Sequence, residues 1–232
     1  MHPTKKTARV AGLLYPLMGI PAVFALMHVP RTLIVRGNAA LTANNILASP
    51  MLFRLGIVAE LIAAVFFLLL AMALYRLLSG VNKNHARLML GLVLVSVAIT
   101  FVNVLNNIAA LTLFRGANYL SVFDRPQRDA LAMLFLGLWG QGHAVNGIFW
   151  GLWLLPFGLL VMRSAFLPRI LGVLLILDCF AYVAASLTSL LFPSYASGLF
   201  PAILPALLGE LWIMLWLLIK GANVQPSAVT AS

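Results

Sequence analysis

The stretch Arg54-Leu-Gly-Ile-Val-Ala-Glu-Leu-Ile-Ala-Ala-Val-Phe-Phe-Leu-Leu-Leu-Ala-Met-Ala-Leu-Tyr-Arg76 decides the fold. Between its two arginines, Glu60 is the one charged residue. A bilayer's hydrocarbon is about 30 Å thick and is crossed by roughly 20 apolar residues of helix. The segment therefore reads as a transmembrane helix with an arginine at each headgroup layer. Glu60 is the anomaly. A carboxylate in hydrocarbon costs on the order of 2.5–3.5 kcal/mol even on a lenient insertion scale, so it needs protein, water, a proton or a partner beside it.

The same pattern recurs along the chain. Its 232 residues are 63% hydrophobic and 9% charged, whereas soluble domains carry roughly 25% charged residues. The expected fold is all-α: a polytopic membrane protein built as a six-transmembrane-helix bundle. Hydropathy places the spans near 8–29, 52–78, 88–114, 134–162, 169–192 and 202–220. They form one membrane domain, 1–220, followed by a small polar tail, 221–232, expected to be flexible. The run from Val10 to Val29 is long enough to span and ends in no small-x-small cleavage site, so it reads as a retained helix rather than a signal peptide.

The net charge of +10 does not imply a nucleic-acid partner, because the basic residues are scattered at span ends. There they act as topology signals and as contacts for membrane lipids. With the N-terminus inside, Lys5, Lys6, Arg9, Arg76, Lys83, Arg87, Arg163, Arg169 and Lys220 fall inside. Arg31, Arg36, Arg54, Arg115, Arg125 and Arg128 fall outside. This bias predicts that both termini are cytoplasmic.

Three of the five acidic residues lie within predicted spans: Glu60, Asp178 and Glu210. Span three adds Ser96, Thr100, Asn103 and Asn107 at spacings of 4, 3 and 4, which is one helix face and should point into the bundle. Span four carries a seam of small residues, Gly137, Gly140, Ala144, Gly147, Gly151 and Gly158, with Gln141, His143 and Asn146 beside it. Such a seam predicts close helix packing. Span five aligns Asp178 with Tyr182, and in span six Pro205 precedes Gly209-Glu210. Between the spans, Asn38 and Asp124 read as helix N-caps, the latter with Pro126 in the first turn. By depth, Glu60, Asn103, Asn107, His143 and Asn146 fall in the outer half, and Asp178 and Glu210 nearer the midplane. The expectation is a polar pocket open to the outer face, with Arg54 at its rim.

The amides and Asp178 are also the residue types that tie helices together, and tryptophans near span ends are usually interface anchors. Several chemistries find no support. Cys179 is the single cysteine, so neither an intrachain disulfide nor a Cys-based metal centre is expected. No H-E-x-x-H, P-loop, G-x-S-G or G-x-G-D motif occurs, and only His28 and His143 could ligate a haem within the bilayer. No metal and no cofactor is therefore expected.

Local patterns in order along the chain resemble a known family. They include Arg9-Val-Ala-Gly-Leu-Leu-Tyr, Thr42-Ala-Asn-Asn-Ile46, Leu52-Phe-Arg-Leu-Gly-Ile57, Gly147-Ile-Phe-Trp-Gly-Leu-Trp153, Ser164-Ala-Phe-Leu-Pro-Arg-Ile-Leu-Gly172 and Gly209-Glu210 through Gly221. Together they resemble the bacterial membrane family catalogued as domain of unknown function 4386. Where such proteins would carry Gly-Asp, this chain has Gly37-Asn38. The resemblance implies an integral protein of the bacterial inner (plasma) membrane with no established activity, and it supplies no catalytic residues.

Three functions fit these readings. The first is a binding or transport protein holding a small amphiphilic or lipidic ligand among Glu60, Glu210, the amides and His143. A homodimer is expected in that case, since six spans are few for a lone transporter. The second is an outer-leaflet lipid-modifying enzyme in which His143 and a carboxylate exchange protons. The third is a structural or partner subunit without its own ligand.

Overall fold

The computed structural model describes residues 3–194 and 208–222, and every regular element among them is helical. Helix α1 (Pro3–Val23) continues through a π-helical turn (Phe24–His28) into α2 (Val29–Leu33). Next come α3 (Ala39–Ala48), α4 (Pro50–Leu78) and α5 (Lys83–Arg115). After a 3-10 turn (Asn118–Leu120) follow α6 (Arg125–Leu152), α7 (Leu154–Arg163), α8 (Arg169–Leu191) and α9 (Leu208–Ile219).

Local chemistry sets the boundaries. The Asn38 side chain accepts the Leu41 N–H at 2.9 Å and starts α3. Asp124 accepts the Gln127 N–H at 2.8 Å while the Gln127 side chain accepts the Asp124 N–H at 3.0 Å, a reciprocal capping box that starts α6. Helix α5 ends at Gly116, whose φ of 68° lies in the left-handed region that glycine enters at no steric cost. The junction of α6 and α7 falls at Trp153, three residues before Pro156. Proline has no N–H for the Leu152 carbonyl, and the helix breaks there.

Five helical stretches are long and apolar enough to cross a membrane: Lys5–Leu33, Pro50–Leu78, Lys83–Arg115, Arg125–Arg163 and Arg169–Leu191. Large apolar side chains point outward along them, with Ile20 72%, Val102 66% and Phe180 64% exposed. Such a surface would aggregate in water and is matched to lipid. The chain is a multi-pass helical membrane protein. The expected sixth span is described only in part. Its described part, α9, has 12 residues, or about 18 Å of helix, short of the hydrocarbon thickness. Pro205 and the rest of 202–207 lie outside the described residues, as does most of the tail.

The helices close into a ring. Helix α4 packs on α1 and α5, α5 on α6, α6 on α8, α8 on α9, and α9 returns to α1. Gly12 makes the last contact: a Cβ there would overlap the α9 backbone at Leu217 and Leu218. Two apolar clusters fill the ring. One, at the α3 end, contains Val29, Ile46, Phe53, Phe114 and Leu136. The other, larger cluster contains Leu70, Leu74, Met89, Trp153, Phe157, Leu175 and Leu217.

The α3 end is tied by the Thr42-Ala-Asn-Asn45 run. The Val35 N–H donates to the Thr42 hydroxyl at 3.0 Å, Asn45 donates to the Leu33 carbonyl at 3.3 Å, and Asn44 accepts from Arg125 at 2.6 Å.

Candidate functional site

Between the two apolar clusters lies a cavity of about 190 Å³ to which six helices contribute. Met18, Ala22 and Leu26 come from the α1 side and Glu60, Ala63, Ala64 and Phe67 from α4. Thr100 comes from α5, His143 and Trp150 from α6, Tyr182 from α8 and Glu210 from α9, with Trp153 at the α6–α7 break. Its walls are mostly apolar and aromatic, with two carboxyls, an imidazole and two hydroxyls facing inward. That composition is typical of small-molecule sites.

Glu60 is 4% exposed and has two neighbours on α6. The Trp139 indole N–H donates to Oε2 at 3.0 Å. His143 Nε2 stands 3.2 Å from Oε1, off the line of a good hydrogen bond, so both atoms keep bonding capacity. The His143 ring meets the edge of Trp139 at 4.7 Å between centroids and stacks on Trp150 at 5.7 Å. Residues 139, 143 and 150 are spaced 4 and 7 apart, so one helix face presents all three.

Across the cavity, Glu210 sits in the first turn of α9 and interacts with the Tyr182 hydroxyl. Its backbone N–H donates to Asp178 Oδ2 at 2.9 Å. Asp178, 0% exposed, thus supplies the N-terminal acceptor of α9 from another helix, where the positive end of the helix dipole stabilises it. Gly209 is needed for this approach, because a Cβ there would overlap Asp178.

The amides have other partners. Asn103 donates to the Trp139 carbonyl at 2.9 Å and accepts from Asn106 at 3.2 Å. Asn146 donates to the Ser96 carbonyl at 3.2 Å and to the Thr100 hydroxyl at 2.9 Å. Asn107 lines a separate gap of about 10 Å³ beside Trp139, which holds at most a single water. Arg54 is exposed in the first turn of α4 and does not reach the cavity. Of the eight residues expected at the site, the structure brings Glu60, His143 and Glu210 together. Asp178 stands directly behind Glu210, while Asn103, Asn107, Asn146 and Arg54 lie off the cavity.

One turn beyond Glu60 toward α3, Phe53, Gly56 and Ile57 pack with Val29, Ile34 and Trp139. Of the amides expected to line the pocket, Asn103 and Asn146 bind the backbone and side chains of α5 and α6, and Asn107 lines the gap beside Trp139. The small-residue seam divides as well. Gly147, Gly151 and Gly158 meet α8, whereas Gly137 and Gly140 face open space and Gly142 receives the Asn103 side chain.

Trp139, Trp150 and Trp153 share the flank that carries His143, and Trp150 and Trp153 line the cavity. Their spacing places them on that inward flank, but sequence reasoning gave them no part in the site. Trp216, which Lys220 Nζ covers at 4.4 Å near the end of α9, packs against the larger apolar cluster. Among the described residues, no three of His, Cys, Asp and Glu gather closely enough to hold a metal ion.

Long apolar helices closed into a ring define the class: a multi-pass helical membrane protein. Within that class, the family model described as Domain of unknown function (DUF4386) matches residues 10–221, and the chain belongs to that family. No curated protein and no solved structure matches it.

Proposed function

We propose that the chain is a membrane-embedded binding or transport protein for a small amphiphilic cation, held in the central cavity. One observation carries this reading: Glu60, His143 and Glu210 line the same cavity as Trp150, Trp153 and Tyr182. Carboxylates supply counter-charge, and aromatic faces attract an organic cation by about 0.5–2 kcal/mol each. Size limits the ligand. A cavity of about 150 Å³ holds benzene, so 190 Å³ suits one ring or short alkyl group with its charged head. A whole lipid does not fit.

The supporting frame is a single membrane domain, 1–220, with six spans and both termini cytoplasmic in a bacterial inner membrane. Membrane lipids surround it, and a homodimer completes it as a transporter. Native mass spectrometry of the purified chain should show a retained small cation. The Glu60→Gln/Glu210→Gln double variant should lose it. Unchanged ligand retention and unchanged proton flux in that variant would sink the reading.

A second reading draws on the 3.2 Å approach of His143 to Glu60, which is within reach for proton exchange in an enzyme acting on a lipid or isoprenoid. A third, a structural subunit, draws on Asp178, Asn103 and Asn146, which tie helices together.

A further inference from the structure

The three intramembrane carboxyls are compensated unequally. Asp178 Oδ2 accepts the first-turn N–H of α9 and Glu60 Oε2 accepts the Trp139 N–H, while the second oxygen of each has no hydrogen-bond partner among the described residues. Glu210 has no such N–H among the described residues; it has a hydroxyl, that of Tyr182, and lies in the field of Asp178 behind it. From α1 it is faced by Tyr15, whose buried hydroxyl has no partner. From α8 it is faced by Tyr182 and Asp178, and across the cavity stand Glu60 of α4 and His143 of α6. No Lys or Arg is among the described residues that line the cavity. Water-poor surroundings do not hold several like charges without a compensating cation.

Resting on the reading above, we propose that Glu210 makes the cavity an exchange site in which one organic cation replaces one proton. With the cavity empty, the Glu210 carboxyl keeps its proton beside Tyr182. As a cation enters, the Glu210 O–H bond breaks, the proton leaves to water, and the carboxylate pairs with the cation. Departure of the cation reverses the step. The charge in the cavity is the same before and after, so Glu210 stands in neither state as an uncompensated carboxylate. The ligand class follows: a monovalent organic cation bearing one aromatic or short alkyl group.

The test uses the full chain in lipid nanodiscs and benzyltrimethylammonium, which has no ionisable proton of its own. Titration calorimetry in two buffers of different ionisation enthalpy counts the protons released. One proton per bound cation is expected, with affinity rising about tenfold per pH unit while Glu210 remains protonated in the empty cavity. Glu210→Gln should bind at least about tenfold more weakly and release none, whereas Glu210→Asp should restore release. His143→Gln should still release one proton. Release that vanishes in His143→Gln but persists in Glu210→Gln overturns the assignment to Glu210. Binding without release in the wild-type chain overturns the exchange and leaves the binding reading standing. Failure of the cation to bind overturns both.

Discussion

The α5–α6 interface and the central cavity both place polar side chains among apolar helices, and they satisfy them differently. At the interface, Asn103 and Asn146 reach the Trp139 and Ser96 carbonyls, so each amide bridges two helices. In the cavity, Glu60 Oε1 and both ring nitrogens of His143 keep unused bonding capacity, and Glu210 has a tyrosine hydroxyl in place of a cation. Interior polar groups of folded proteins are nearly always matched. At the interface the amide donors are matched across helices, although Asn146 Oδ1 and the Ser96 hydroxyl have no hydrogen-bond partner among the described residues. In the cavity the unmatched atoms belong to ionisable groups, which give a ligand something to complete.

The largest expected break in this contrast comes from a glycine. Gly142→Ala puts a methyl group onto the Asn103 side chain, forcing it from the Trp139 carbonyl. Overpacking and the lost bond together should cost about 3 kcal/mol, seen as a lower thermal midpoint by circular dichroism in detergent. Adding Asn103→Ala should recover about half of the loss. No recovery would show that the clash lies elsewhere.

Asn146→Ala comes next. Interhelical hydrogen bonds in membranes average about 0.6 kcal/mol. Losing two should therefore cost about 1 kcal/mol in the same melt, with cation binding by calorimetry within about twofold of wild type. A larger binding loss would bring Asn146 into the site.

Glu60→Gln should change stability by under about 1 kcal/mol, because its amide oxygen still accepts from Trp139. Cation affinity, read by the same titration, should fall at least about tenfold. An unchanged affinity would return Glu60 to a structural role. Arg54→Ala is the smallest, with both stability and binding expected within about 0.5 kcal/mol of wild type, as for an exposed side chain without partners in the bundle. A loss of binding there would indicate an entrance at the α3 end.

Caps and polar faces were legible because they depend on neighbours in sequence. Asn38 and Asp124 act on N–H groups three residues away. Ser96, Thr100, Asn103 and Asn107 share a face by spacing, and all four are buried. The identity of the opposing helix was not legible. Periodicity says which way a side chain points on its own helix and nothing about which backbone it meets. Thus the seam through Gly137 and Gly140 looked continuous with Gly147, whereas the glycine that receives Asn103 is Gly142. Asp178 capping α9 joins residues 32 apart, and no local pattern encodes that. His143 beside Glu60 was foreseen from common depth alone, which fixes height in the bilayer but not lateral position.

The contact of Gly12 with Leu217 and Leu218 has a consequence for biosynthesis. The first helix meets its closing partner only after roughly 200 further residues have been made, about 10–40 s at a typical 5–20 residues per second. Through that interval the α1 groove around Gly12 and Tyr15 lacks its occupant. Glu210 arrives with the same helix, so the ring and the cavity are completed together.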